Sequence, residues 1–392
     1  MANAEFGTVF FDEMTFATYD GEKWSETSFV PSDKLPLHPA THVLHYASTC
    51  FEGMKAFRAA DGKINIFRLD DHVKRMQNSA RCLHLPVPDT EQLKAMIVDI
   101  LAKHRDEVPA FPGSAYIRPT LIGTDQSIGR AAAPTRTAML YVLISPVGDY
   151  FPADAKMRVL LDTEHQRCAP HFGSVKSGGN YASALGLILA AKEKYNTAQV
   201  IFAPDGDVQE TGAANCLLIN DNEVLTKPLS SEFLPGITRD SLLQVAAKLG
   251  YKVTERNIQA TELIEWIKTG EVALSGTAAV LAPIGEVVYE GETHQVKQGG
   301  EPVNAKRLRK YLNDVQQGLE QLTLIRGTRR NLLLAGALGS RRNSQSLFLR
   351  RIEWLNLEVG IHVTGNSPGR RVVRLINTVV KKHGNLVVGD AV

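Results

Sequence analysis

The sequence predicts a mixed α/β protein, α+β-like in its order of elements, built as two domains. Three observations carry this. Short apolar or alternating runs of strand length recur between segments of helical period. A stretch dense in Pro, Gly and Asp, Ser145 to Lys156, separates two such blocks. The 392 residues suffice for two cores, and 44% apolar with 22% charged residues is the balance of a globular chain rather than a disordered or membrane-embedded one.

In order along the first block, Lys63 to Arg68 (KINIFR) alternates and predicts a strand, and Asp70 to Cys82 predicts a helix with a charged open face. Glu91 to His104 is amphipathic, with Leu93, Ile97, Ile100 and Leu101 at helical spacing. Ala138 to Ile144 (AMLYVLI) predicts a buried strand. In the second block, strands are expected at Arg158 to Asp162, Gln199 to Ala203, Cys216 to Ile219 and Val272 to Ser275. Helices are expected at Tyr181 to Tyr195, Arg239 to Leu249, Glu262 to Lys268 and Val303 to Leu319. The expected organisation is a small domain over 1–148, a connecting loop over 149–157, a larger domain over 158–322 and a separate tail over 323–392.

The formal charge of +2 hides an asymmetry. The tail carries ten Arg and two Lys against three acids, a net +9, which leaves 32 bases and 39 acids, a net −7, in residues 1–322. Its arginines are interleaved with Leu, Val and Ile, with only Phe348 and Trp354 as aromatics, so a nucleic-acid partner is a remote alternative. A disordered extension, or translation in a shifted frame after about Leu322, accounts for it equally. Cys50, Cys82, Cys168 and Cys216 are too few and scattered for a disulfide framework or a CxxC metal site, and read as reduced core thiols. No metal site is expected. The N-terminus lacks a secretory pattern and no apolar run reaches the roughly 20 residues of a bilayer span, so the expectation is a soluble, cytoplasmic protein with no membrane partner.

Four segments could carry chemistry. Lys176, in HFGSVKSGGNYASAL, precedes a glycine turn and an apolar helix; it suits a Schiff-base lysine, and taken alone reads as a surface lysine. Glu210, in QETGAAN, could face a protonated pyridine nitrogen, and taken alone reads as a solvated strand-end acid. The LPGITR and LSGTAA turns could each bind a phosphate or carboxylate through outward N–H groups.

Together and in order, HYASTCFEGMKAF (His45 to Phe57), RLDDHVKRM, SAYIRPTLIG, SPVGDYF, VKSGGNYA, QETGAAN, LPGITRDSLL and SGTAA resemble the branched-chain amino acid aminotransferases, members of the D-amino-acid-transaminase-like, class IV group of pyridoxal 5'-phosphate (PLP) enzymes. The resemblance covers about residues 5 to 320 and implies that group's fold, with the cofactor between two domains. It implies that Lys176 carries PLP covalently and shuttles the substrate proton, that Glu210 meets the ring nitrogen, and that Tyr181 meets the ring hydroxyl. Arg75, Ile237, Thr238 and Thr277 would hold the phosphate. Thr277 and Ala278 would offer N–H groups to the substrate α-carboxylate. Tyr46, Phe51, Tyr116 and Tyr150 would form an aromatic pocket, with Arg118 accepting the distal carboxylate of glutamate.

The implied reaction moves an amino group between leucine, isoleucine or valine and 2-oxoglutarate in a homodimer, whose partners are small amino and 2-oxo acids. The alternatives are a D-amino acid transaminase or an aminodeoxychorismate lyase, which share Lys176 and Glu210. Two departures stand out. Mitochondrial members carry a CxxC redox pair after the SGT turn, where this chain has Ala279 and Ala282, and the usual Trp-containing ending is replaced by the basic tail.

Overall fold

The computed structural model describes residues 6–150 and 154–320, all of which belong to one compact unit. The tail of the sequence reading, 323–392, lies outside the described residues. Two sheets make up the architecture.

The first sheet has seven strands: β1 (Glu13–Tyr19), β2 (Ser28–Pro31), β3 (Thr49–Phe51), β4 (Met54–Arg58), β5 (Ile64–Ile66), β6 (Ser114–Gly123) and β7 (Ala138–Val147). Their order is β2-β1-β7-β6-β4-β5, with β3 also paired to β6. A short helix, α1 (His42–Tyr46), precedes β3, and α2 (Leu69–Cys82) and α3 (Thr90–Lys103) bury Val73, Met76, Leu93, Ile97 and Ile100 with Ala115, Ile117, Leu140 and Val142 of the sheet. The helix expected from Glu91 begins at Thr90 because Asp89 caps it, its side chain accepting from Gln92 N at 2.8 Å.

The segment read as a linker from Ser145 is instead strand as far as Val147: β7 keeps pairing with β6 through Ser114↔Val147. Pro146 is tolerated there because the β1 partners of β7 end at Thr15↔Val142, so its missing N–H breaks no ladder bond on that side.

The second sheet has eight strands: β8 (Met157–Asp162), β9 (Gln199–Phe202), β10 (Asn215–Ile219), β11 (Glu223–Thr226), β12 (Lys252–Glu255), β13 (Glu271–Gly276), β14 (Val280–Tyr289) and β15 (Glu292–Gln295). Seven run in the order β12-β11-β10-β13-β14-β8-β9, and β15 pairs with β14. Its helices are α4 (Gly178–Tyr195), α5 (Ile237–Lys248), α6 (Ala260–Trp266) and α7 (Val303–Gln316). The period of two along β10 serves both faces. Leu217 and Ile219 join a core with α5 and α7, while Cys216 and Leu218 join another with α6. Helix α4 starts at Gly178, earlier than expected, because Ser177 accepts from Gly179 N at 3.2 Å.

All four cysteines are free thiols, but the expectation that all are core residues holds only for Cys50 and Cys216; Cys168 is half-buried, and Cys82, at the end of α2, is exposed.

Helix α7 has no cap of its own. The buried carboxylate of Glu271 replaces one, accepting from Asn304 N at 3.1 Å and Ala305 N at 2.8 Å, with Lys297 Nζ at 3.3 Å. Replacing Glu271 by Ala leaves those donors unmet, and is expected to lower stability by about 1–3 kcal/mol, measured as a lowered urea-unfolding midpoint.

Candidate active site

Lys176 lies just before α4, and its backbone is fixed by the first sheet and its helices. Its N–H donates to Ser79 Oγ of α2 at 3.0 Å, and its carbonyl accepts from Phe51 N at 3.1 Å. Its Nζ donates to the Tyr181 hydroxyl at 2.9 Å and stands 5.0 Å from the centre of the Phe51 ring. The lysine and tyrosine meet because Tyr181 occupies the first turn of α4, five residues on.

Across an open pocket lined by Arg167, Val175, Lys176, Tyr181, Glu210, Gly212, Ala213 and Leu234 lies the carboxylate of Glu210. It is buried among three partners: the Arg167 guanidinium pairs with it, Nε at 2.8 Å, while Asn215 Nδ2 and Leu234 N each donate to it at 3.0 Å. Burial pushes this carboxyl up to about 7, against the opposing pull of Arg167 and the Leu234 N–H. One cation and two N–H groups around its oxygens favour the ionised form, so it is poised to face a cationic group.

Arg167 is held in turn by Gly173, whose carbonyl accepts from Nη2 at 2.9 Å. Gly236 is needed by its neighbour, because a Cβ there would come within 2.0 Å of Asn215 Oδ1 and displace the amide from Glu210.

A second charged centre lies between the two sheets. Arg75 on α2 donates to both oxygens of the fully buried Glu52, at 2.7 and 2.8 Å, and its Nη1 donates to Pro235 O at 3.0 Å. His72 adds a third contact to Glu52 at 2.7 Å. Burial raises the pKa of Glu52, but Arg75 and His72 outweigh it and hold the carboxyl well below the usual carboxylate range. Beside Arg75, helix α5 begins at Ile237 and Thr238 without a side-chain cap, so its first N–H groups are available to an anion. A guanidinium at an uncapped helix start suits a phosphate.

Further out, the pocket aromatics form one continuous wall. The guanidinium of Arg118 lies 4.6 Å from the Phe51 ring and donates to the Tyr116 hydroxyl at 3.2 Å. Phe6 stands edge-on to both Tyr116 and Tyr150, at 5.1 and 4.9 Å. Gly53 lets the Tyr116 ring in, since a Cβ there would lie 2.0 Å from its hydroxyl. Thr277 and Ala278 form the turn between β13 and β14; Thr277 Oγ1 donates to Gly53 O at 3.0 Å.

The structure thus gathers Lys176, Tyr181, Glu210, Arg75, Ile237, Thr238, Phe51, Tyr116, Arg118, Thr277 and Ala278 around one junction, with Tyr150 half exposed at its rim. Tyr46 does not join them in its own chain. It is half-buried at the last residue of α1, which Ala47 caps, and its hydroxyl donates to Ile128 O.

The sequence reading missed Arg167, Asn215, Glu52, His72 and Phe6 as site residues. Glu52, His72 and Asn215 sit inside segments already singled out, where a buried charged or amide side chain among apolar neighbours was the available signal. Arg167 lies in an irregular loop and had none.

A half-buried lysine facing a carboxylate ringed by compensating partners, with a phosphate-ready helix start beside them, defines the class: an enzyme that works through a phosphorylated pyridine aldehyde. The family model for Amino-transferase class IV matches residues 49–287. The cytosolic branched-chain-amino-acid aminotransferase of Mus musculus is 36% identical over 329 residues, 80% of this chain and 85% of that protein. Branched-chain-amino-acid aminotransferase 2 of Bacillus subtilis is 33% identical over 323 residues, 80% and 88% of the two chains.

Among solved structures, a T.th. branched-chain amino acid aminotransferase with pyridoxamine 5'-phosphate superposes with a TM-score of 0.66 at 27% identity, covering 78% of this chain and 95% of that one. The Escherichia coli branched-chain amino acid aminotransferase gives 0.64 at 25% identity, covering 80% and 96%. This chain belongs to the class IV aminotransferases, and among them to the branched-chain-amino-acid aminotransferases.

The Arg167–Glu210 pair is testable by a double-mutant cycle. Arg167→Met strands a buried carboxylate and is expected to lower stability by about 3–5 kcal/mol, while Glu210→Gln in the same chain recovers much of it, both measured by urea unfolding of the cofactor-free protein.

Proposed function

We propose that this chain is a PLP-dependent aminotransferase that moves the amino group between leucine, isoleucine or valine and 2-oxoglutarate. The observation that carries the reading is Lys176 Nζ at 2.9 Å from Tyr181, across one pocket from Glu210 and its three partners. The residues present fit PLP: an amine for its aldehyde, a buried carboxylate for its ring nitrogen, and Arg75 with the uncapped start of α5 and Thr277 for its phosphate. Bound PLP supplies an electron sink for the charge left when the substrate Cα loses its proton.

The chain's own residues do the rest. Lys176 is the general base that takes the Cα proton on Nζ and gives it back, with its amine oriented by Tyr181. Glu210 favours a cationic group placed against it, and the Arg167 guanidinium opposes the burial that raises its carboxyl to about 7. Phe51, Tyr116 and Phe6 exclude water and match an aliphatic side chain, while Arg118 brings a charge to the same wall for a dicarboxylic partner. The named relatives support the branched-chain reading over the D-amino acid and lyase alternatives.

Lys176→Ala is expected to retain phosphate-anchored cofactor and to lose amino transfer from leucine to 2-oxoglutarate by about 10³-fold or more, measured by coupled assay. Full turnover in that variant would remove Lys176 from the mechanism.

The reading includes a homodimer. Leu185 and Leu189 on α4 are 53% and 54% exposed, and Leu44 and Ile128 are 60% and 69% exposed, apolar side chains available to a second subunit. Sedimentation velocity is expected to give twice the chain mass, 43.0 kDa, and a fully active species at the single-chain mass would contradict it.

A further inference from the structure

Glu52 lies between β3 and β4, and its side chain is wholly buried. Its backbone N–H donates to Pro119 O of β6 at 2.9 Å. Both carboxylate oxygens are fully used. Oε1 accepts from Arg75 Nε at 2.7 Å, and Oε2 accepts from His72 Nδ1 at 2.7 Å, Arg75 Nη2 at 2.8 Å and Gly53 N at 3.2 Å. A carboxylate has room for about four such contacts, so Glu52 has none to offer a ligand. Nor does stability account for it, because replacing a buried ion pair by apolar residues of similar volume is often neutral or stabilising.

What the carboxylate does is fix a guanidinium. Three of the five N–H bonds of Arg75 are taken, on Nε and Nη2 by Glu52 and on Nη1 by Pro235 O at 3.0 Å. Among the described residues the other two are left, one on Nη1 and one on Nη2, at the outer end of the fork. Pro235 precedes Gly236, from which α5 starts, so this end of the guanidinium lies where the helix offers its own first N–H groups. The spacing along α2 adds a second link. His72, Arg75 and Ser79, three and four residues apart, share one helix face, and Ser79 Oγ accepts from Lys176 N at 3.0 Å. One face of α2 thus sets both the guanidinium and the backbone of the lysine.

We propose that Glu52 is a positioning residue for the cofactor's phosphate, holding Arg75 along its Nε side so that the outer Nη1 and Nη2 hydrogens meet the phosphate at the start of α5. His72 keeps the carboxylate in that place. This rests on the functional reading in which Arg75 and α5 hold the phosphate. It runs against charge counting alone. A phosphate monoester is close to doubly negative near neutral pH, so on charge alone loss of the Glu52 carboxylate favours its binding. Positioning requires the reverse, since the amide of Glu52→Gln sets N–H groups against the Arg75 donors and releases the guanidinium.

The test measures affinity of the full chain, stripped of cofactor, for PLP and for pyridoxal, which lacks the phosphate, by absorbance titration. Glu52→Gln is expected to weaken PLP about tenfold to a hundredfold and to leave pyridoxal within about twofold of the parent. His72→Leu leaves the contacts between Glu52 and Arg75 in place and covers a Glu52 variant that fails to fold. It is expected to weaken PLP about threefold to tenfold, with pyridoxal unchanged. Arg75→Met is expected to weaken PLP at least as much as Glu52→Gln, and adding Glu52→Gln to Arg75→Met is expected to weaken it no further.

PLP bound as tightly as by the parent, or more tightly, in Glu52→Gln, with Arg75→Met weakened, overturns the role of Glu52 and leaves Arg75 as the phosphate anchor. Unchanged PLP affinity in His72→Leu overturns it likewise. Unchanged PLP affinity in Arg75→Met overturns the reading of the phosphate site itself. Equal losses of PLP and pyridoxal in Glu52→Gln and in His72→Leu reduce Glu52 to a packing residue and overturn the proposal.

Discussion

The carboxylate of Glu210 is held out of water by three partners that come from three separate stretches of chain: Arg167 before the lysine segment, Asn215 at the start of β10, and the Leu234 amide before α5. An uncompensated carboxylate in that position would be expensive, so the three stretches must converge on it for the fold to be stable. Their convergence places the lysine, the acid and the phosphate-ready helix start around one pocket. The glycines follow from the same demand. Gly236 makes room for the Asn215 amide, and the Gly173 carbonyl holds Arg167, with no room for a side chain at Gly173 because a Cβ would lie 1.9 Å from Glu232 O.

The segment from Phe51 to Lys55 plays the corresponding part between the two sheets. Phe51 packs beside Lys176, Glu52 fixes Arg75, Gly53 admits Tyr116 and anchors Thr277, and Lys55 grips Ala278. Arg68 adds a contact to α5, its Nη1 donating to Asp240 at 2.5 Å and to Ser241 at 3.0 Å. Parts contributed by one sheet are therefore useless for chemistry until the other is docked on them. The consequence is a site whose geometry depends on several polar contacts across a seam, each short and mostly buried.

Much of this was legible in the sequence. The helical period of Leu93, Ile97 and Ile100 sufficed for α3, because that periodicity is the packing constraint itself. The segments carrying Lys176, Glu210 and the two glycine turns were identifiable because their residue types are required by the chemistry. Arg167 was not legible, since a lone arginine in an irregular loop carries no local pattern and its role exists only through space. The same applies to Lys55. A charged residue inside FEGMKAF looks like the solvated side of a strand, and only the docked second sheet buries it. Ser145 to Val147 misled in the other direction, because Pro and Ser mark loops unless a neighbouring strand continues past them, as β6 does here.

The mechanism stands or falls on Lys176 being the amine that meets the cofactor in the pocket closed by Glu210. Borohydride reduction of the PLP-loaded protein, followed by peptide mapping, tests this most directly. The predicted result is a single pyridoxyl group fixed to Lys176. A modification mapped to any other lysine, Lys55 included, or a loaded protein that borohydride leaves unmodified, would contradict it.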